Sequence, residues 1–113
     1  ANNRIYIDQV TDLKSGSVND LITPRCNLRI NGRKLKLAGE HPEVGVCFIN
    51  VETGVRTRIE KADIITNFPS ELIIVIPSLE QGSFLLEITS QFTTSGALKQ
   101  PNTATFKHEL RVL

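Results

Sequence analysis

With 113 residues, 40% of them apolar and 22% charged, the chain has the size and make-up of one folded domain with its own core. Thirteen basic side chains against twelve acidic ones leave a formal charge of +1, so no strong overall field selects a partner. No run of about 18 apolar residues exists for a membrane helix, and no signal-peptide pattern is visible, so a cytoplasmic protein without membrane contact is expected. The sequence contains no Met, which marks it as a processed protein or as a piece cut from a longer one. Cys26 and Cys47 are too few for a disulfide framework. They are either two free thiols of an intracellular protein or one bridge.

Strand signals dominate from the first residues onward. Val, Ile and Thr are frequent, and Gly or Pro punctuates every few positions. Ile5 and Ile7 alternate with Tyr6 and Asp8 as a first strand. Thr11 to Asn19 is polar around Ser15-Gly16-Ser17 and predicts a loop. Thr23-Pro24 closes it, because a residue before proline is pushed toward extended geometry. Leu28 and Ile30 alternate with Asn27, Arg29 and Asn31, a half-buried strand. Asn31-Gly32 is then either a type I′ hairpin turn or a kink within one strand. Ala38 to Glu43 is a turn region.

Val44 to Asn50 places Val46 and Phe48 on one face, Cys47 and Ile49 on the other. Apolar residues on both faces predict a central strand. Glu52-Thr53-Gly54 is a turn, Arg56 to Ile59 a short edge strand, and Lys61-Ala62-Asp63 a break before Ile64-Ile65.

The stretch Phe68 to Thr89 organises the rest. Leu72 to Ile76 is apolar on both faces and stops at Pro77. A corner follows, and Phe84-Leu85-Leu86-Glu87-Ile88-Thr89 alternates with period two. After Thr89 a long polar connection is expected through Thr93-Thr94-Ser95-Gly96 and Lys99 to Asn102, with Leu98 tucked in. Thr103 to Leu113 is the last strand, with Ala104, Phe106, His108, Leu110 and Val112 on one parity. About seven to eight short strands predict an all-β, immunoglobulin-like β-sandwich forming one domain over residues 1–113.

The segment Leu79-x-x-Gly82-x-Phe84-x-Leu86 looks like the E–F corner of immunoglobulin-type sandwiches. Phe84 stands where those domains carry a Tyr, and Leu86 where antibody domains carry a Cys. The hydroxyl tie and the inter-sheet disulfide are therefore both missing. Aliphatic packing must hold the corner, and truncating Phe84 or Leu86 to Ala is expected to cost about 3–5 kcal/mol.

A wider resemblance rests on Leu28-x-Ile30-x-Gly32-x-x-Leu35, Gly45-Val46-x-Phe48, Pro69-Ser70-Glu71-Leu72-Ile73-Ile74-Val75-Ile76-Pro77 and Gly82-x-Phe84-x-Leu86-Glu87. Thr11-Asp12, Gly16-Ser17-Val18-Asn19-Asp20 and Thr23-Pro24 extend it. This set resembles the IPT/TIG-like group of bacterial Ig-like domains. More narrowly, it resembles a bacterial family of unknown function with an Ig-like fold. That family forms the C-terminal half of proteins whose N-terminal half is an HU/IHF-like DNA-binding domain. The resemblance favours the kink at Gly32 over the hairpin. It implies a fragment of a longer, nucleoid-associated chain and supplies no catalytic residues.

Three constellations could carry chemistry. Cys26, Cys47, His41 and His108 have zinc-ligand chemistry but no ligand spacing, so no metal or other cofactor is expected. Cys47 fits a core position better, and His41 a turn beside Pro42. His108 beside abundant Ser and Thr lacks any nucleophile-elbow pattern, so the chain is not expected to be an enzyme or to take a small-molecule substrate. Arg25, Arg29, Arg33, Lys34 and Lys36 form a basic run with no acid between Asp20 and Glu40. It is either a nucleic-acid contact or a solvated outer sheet face with aggregation-blocking lysines. No aromatic interleaves the run, so base stacking is not expected.

Ile73 and Val75 would face outward if Leu72, Ile74 and Ile76 face the core. Beside Arg29 they make the best candidate for a protein interface, unless the segment Arg4 to Val10 covers them. The expected partners are the companion HU-like domain of the same chain, DNA through that domain, and a second copy by self-association. A cell-surface Ig-like spacer or carbohydrate-associated module is the rival reading.

Overall fold

The computed structural model describes residues 4–93 and 96–113. Nine strands and one 3₁₀ turn make two antiparallel sheets among these residues. The strands are β1 (Tyr6–Asp12), β2 (Asn27–Arg33), β3 (Gly45–Asn50), β4 (Arg56–Arg58), β5 (Ile64–Asn67), β6 (Glu71–Val75), β7 (Gly82–Thr93), β8 (Gly96–Thr105) and β9 (Leu110–Val112). The first sheet has the order β1-β2-β6-β5, and the second the order β4-β3-β7-β8. β9 joins the second sheet by pairing with the first three residues of β7. No helix among the described residues is long and apolar enough to cross a membrane.

Alternation along the strands explains why the two sheets stack. A strand sends successive side chains to opposite faces. The first sheet therefore buries Leu28 and Ile30 from β2 and Leu72 and Ile74 from β6. The second answers with Val46 and Phe48 from β3, Leu86 and Ile88 from β7, and Leu110 from β9. Ile7, Val10, Leu35, Ile76, Phe84 and Phe106 close the ends of the same core.

The corner after β6 carries the chain from one sheet to the other, as its residues predict. Gly82 opens β7 at φ +151°, a conformation that L side chains rarely adopt. Two residues on, Phe84 is buried. Leu79 packs on the core from the corner itself. With no disulfide, both cysteines are free thiols.

Asp12 secures the loop between β1 and β2. Its fully buried carboxylate accepts hydrogen bonds from Ser15 Oγ (2.6 Å), Thr23 Oγ1 (2.7 Å) and the Thr23 N–H (3.3 Å). A buried carboxylate is stable only when its oxygens are occupied in this way. The loop begins two residues later than expected, because Thr11 and Asp12 still belong to β1.

Of the two readings of Asn31-Gly32 the single strand is the observed one, and two other local expectations change. Asn31-Gly32 is not a hairpin: β2 runs through both to Arg33, and the chain turns at Lys34, with φ +58°. The irregularity lies across the ladder, in a register shift between Ile7 and Gln9 of β1. The polar connection after Thr89 is mostly strand. β7 continues to Thr93 and pairs with β8 from Gly96 onward. Cross-strand pairing, with Thr89 and Thr103 hydroxyls 2.8 Å apart, overrides the weak propensity of that polar sequence. Thr94, Ser95 and the side chain of Leu98 lie outside the described residues. The final strand is two strands. The chain bends at Lys107-His108, so His108 leaves the apolar parity and lies exposed, its ring edge-on to Phe106 at 5.4 Å.

Candidate interaction surface

The register across the first sheet sets its outer face row by row. Thr11, Arg29, Ile73 and Thr66 lie side by side on β1, β2, β6 and β5. Gln9, Asn31 and Glu71 form the next row, and Asn27 pairs with Val75 on the far side. Ile73 and Val75 are half-buried, and the segment before β1 does not reach them, since Tyr6 pairs with Arg33 at the opposite end.

Two larger apolar side chains are exposed nearby, Ile65 on β5 and Phe68 in the turn between β5 and β6. Ile65 is 59% exposed and Phe68 60% exposed. β5 carries a register shift between Ile64 and Thr66, so Ile65 is an extra residue opposite Ile73. Such a bulge redirects a side chain. Ile64 packs against the core while Ile65 is left in solvent. Sequence reasoning did not single out Ile65 or Phe68. The signal was the adjacency Ile64-Ile65, since neighbours on a strand cannot both face the core.

The five basic residues of the run from Arg25 to Lys36 do not form one patch. Arg25 sits in the turn before β2 at φ +67°, its guanidinium 3.5 Å from Ser78 Oγ. Arg29 is held by Glu71, Nε to Oε1 at 3.4 Å, and the same carboxylate oxygen accepts from Asn31 Nδ2. The Arg29 Nε–H is enclosed and meets no acceptor in hydrogen-bond geometry. Arg33 is the last residue at the opposite end of β2 and Lys34 follows it, while Lys36 is exposed on the loop. β2 rises about 3.3 Å per residue, so one anion cannot meet Arg25 and Arg33 together.

An aromatic does accompany one of these cations, from across the ladder rather than from the run. The Arg33 guanidinium lies 4.9 Å from the centre of the Tyr6 ring, and Lys107 Nζ lies 6.0 Å from it.

The outer face of the second sheet is charged. Arg56 pairs with Glu87, and Arg58 donates to the Pro42 carbonyl at 2.9 Å. Cys47 lies beneath them, buried on the face opposite the Phe48 core rather than within it. Burial pushes its thiol above the ordinary range, against the nearby Arg56. Cys26 is half-exposed before β2, and His41 spends its Nδ1 accepting the Glu43 N–H at 3.1 Å. The residues expected to have zinc chemistry are thus on separate elements. Among the described residues no three His, Cys, Asp or Glu side chains converge.

A family model for domains of unknown function with an Ig-like fold, DUF4469, matches residues 6–104. The chain belongs to this family. The two-sheet arrangement described above is thus the DUF4469 fold in this sequence. Among solved structures, this DUF4469 chain is similar to a protein from Bacteroides vulgatus ATCC 8482 given as a "Putative bacterial DNA binding protein". The two share 31% identity with a TM-score of 0.92, over 100% of this chain and 49% of that one. The chain therefore spans about half the length of that relative. No curated protein matches.

Proposed function

We propose that this chain is the non-enzymatic C-terminal interaction module of an HU-like DNA-binding protein. The observation that carries the reading is the similarity to half of a longer protein whose given name states DNA binding. The outer face of the first sheet supplies the contact. Ile65, Ile73, Val75 and Phe68 offer apolar area to the companion HU-like half, and Arg29 with Glu71 gives that area a polar border. An apolar centre with a charged rim is the usual anatomy of a protein interface. The module works by binding, without cofactor, membrane or small-molecule substrate, in the cytoplasm.

The test is to read the gene upstream of the codon for Ala1. An HU-like coding sequence is the expected result. A secretion signal followed directly by this domain would overturn the reading in favour of a cell-surface spacer.

A further inference from the structure

At the end of β2, one cation of the basic run meets β1 and the bend after β8 around the Tyr6 ring. We propose that Tyr6, Arg33 and Lys107 form a contact site for the phosphate backbone of DNA. This rests on the DNA-binding reading above and names the part of this chain that would touch the nucleic acid.

Three segments distant in sequence build the site. Tyr6 opens β1 and pairs directly with Arg33, the last residue of β2. Gly32 permits that approach, because the Tyr6 carbonyl occupies the space a β-carbon would need. Lys107 is placed by its neighbour: Phe106 is buried and donates its N–H to the Leu86 carbonyl at 2.9 Å, which turns Lys107 outward. Both cations lie over one ring, Arg33 at 4.9 Å and Lys107 at 6.0 Å. The ring face attracts and orients them.

Charge pairing separates this site from the ion-paired arginines. Arg29, Arg56 and Arg111 each have a carboxylate partner. Among the described residues no ion pair engages Arg33 or Lys107, so their charge is available to a ligand. Two shallow clefts of about 300 and 420 Å³ adjoin the ring; Arg4 and Lys107 line the first, Arg33 and Asp8 the second. Asp8 shares the second cleft with Arg33 and forms no ion pair with it. The Tyr6 ring is 38% exposed, and its hydroxyl is a further donor of the kind that binds phosphate oxygens. Cations bind phosphate whatever the base sequence, so the contact proposed is with the backbone.

Fluorescence anisotropy of a short labelled DNA duplex, titrated with the chain at several salt concentrations, tests the site. Binding at low salt is expected, weakening as salt rises. Arg33→Ala and Lys107→Ala should each reduce the slope of log affinity against log salt by about one. The double variant should lose binding, and Arg56→Ala, on the other sheet, should leave it unchanged. Thermal melts of the variants confirm folding, which the exposure of both side chains favours. The site is overturned if the chain binds no duplex, or if the folded double variant binds as the parent does. It is also overturned if only single-stranded DNA binds and Tyr6→Ala alone removes that binding, because base stacking would then explain it. An HU-like upstream half with no anisotropy change sinks this site alone. A secretion signal upstream sinks the module reading whatever the titration gives.

Discussion

At Gly32 the carbonyl oxygen of Tyr6 stands 2.0 Å from where a β-carbon would be. No side chain fits there without moving the backbone of β1. This gives the glycine a packing reason, where the sequence offered a turn or a kink and the resemblance favoured the kink. Asn-Gly is a strong local hairpin signal, but the turn would have had to compete with two ladders. β2 pairs with β1 on one side and β6 on the other, and the Gly32 N–H itself donates to the Ser70 carbonyl at 3.1 Å. Gly32→Ala is expected to destabilise by about 1–3 kcal/mol, as overpacking does, and to separate Tyr6 from Arg33. A thermal melt with amide shifts at both residues would check it; an unchanged melt would show that β1 yields freely.

Single-residue legibility divides along the same line. Burial of Leu28 and Ile30 follows from alternation alone, and that of Phe48, Leu72 and Ile74 from alternation once the core-facing parity is chosen. The roles of Asp12 and Gln91 do not. Asp12 lies in what reads as a polar loop, yet it is fully buried because Ser15 and Thr23 return to it. Gln91 sits at a register shift in β7 and accepts the His41 N–H through Oε1 at 2.9 Å. Each satisfies a partner brought near by tertiary structure, and no local pattern announces such a partner.

Among the elements, the corner from β6 to β7 was the most legible. A run stopped by Pro77, a glycine, then period-two alternation can be read without knowing any neighbour. Its stability has to come from packing, since Phe84 and Leu86 bring neither hydroxyl nor sulfur. Leu86→Ala should cost about 3–5 kcal/mol, lowering the urea midpoint with little change in slope. Leu85→Ala, half-buried on the opposite face, should cost about 1 kcal/mol or less. Equal losses at the two positions would contradict the assignment of faces. The β7–β8 hairpin was the least legible element. Its residues are polar, and only pairing across the ladder makes them strand.

For the molecule as a whole, the two outer faces differ in kind. The second sheet presents Arg56, Arg58 and Glu87 to solvent, while the first presents Ile73, Val75 and the bulged Ile65. Changing Ile73 and Val75 together to Asp should alter the stability of the chain by only about 1 kcal/mol per site, as for half-buried strand positions. Binding to the companion HU-like half, measured by calorimetry on the separate pieces, should be lost. Retained binding would move the interface elsewhere. The outward parity of Ile73 and Val75 was readable because it needs only the period of a strand. The Tyr6, Arg33 and Lys107 grouping was not, since it joins residues about a hundred positions apart that meet only once both sheets have closed.

The position of β9 has a consequence for synthesis. Arg111 pairs with Ser83 of β7 on one side. On the other, its N–H donates to the Asp20 carbonyl at 2.9 Å, and its carbonyl accepts the Ile22 N–H at 2.9 Å. The guanidinium adds a two-pronged bond to the Asp20 carboxylate at 2.8 and 2.9 Å. On a ribosome, chains emerge residue by residue and domains fold as units. Until Leu110 to Val112 have left the exit tunnel, the start of β7 lacks one neighbour and the segment from Asp20 to Ile22 has nothing to lie against. Part of the core of this domain therefore stays uncovered until β9 has emerged.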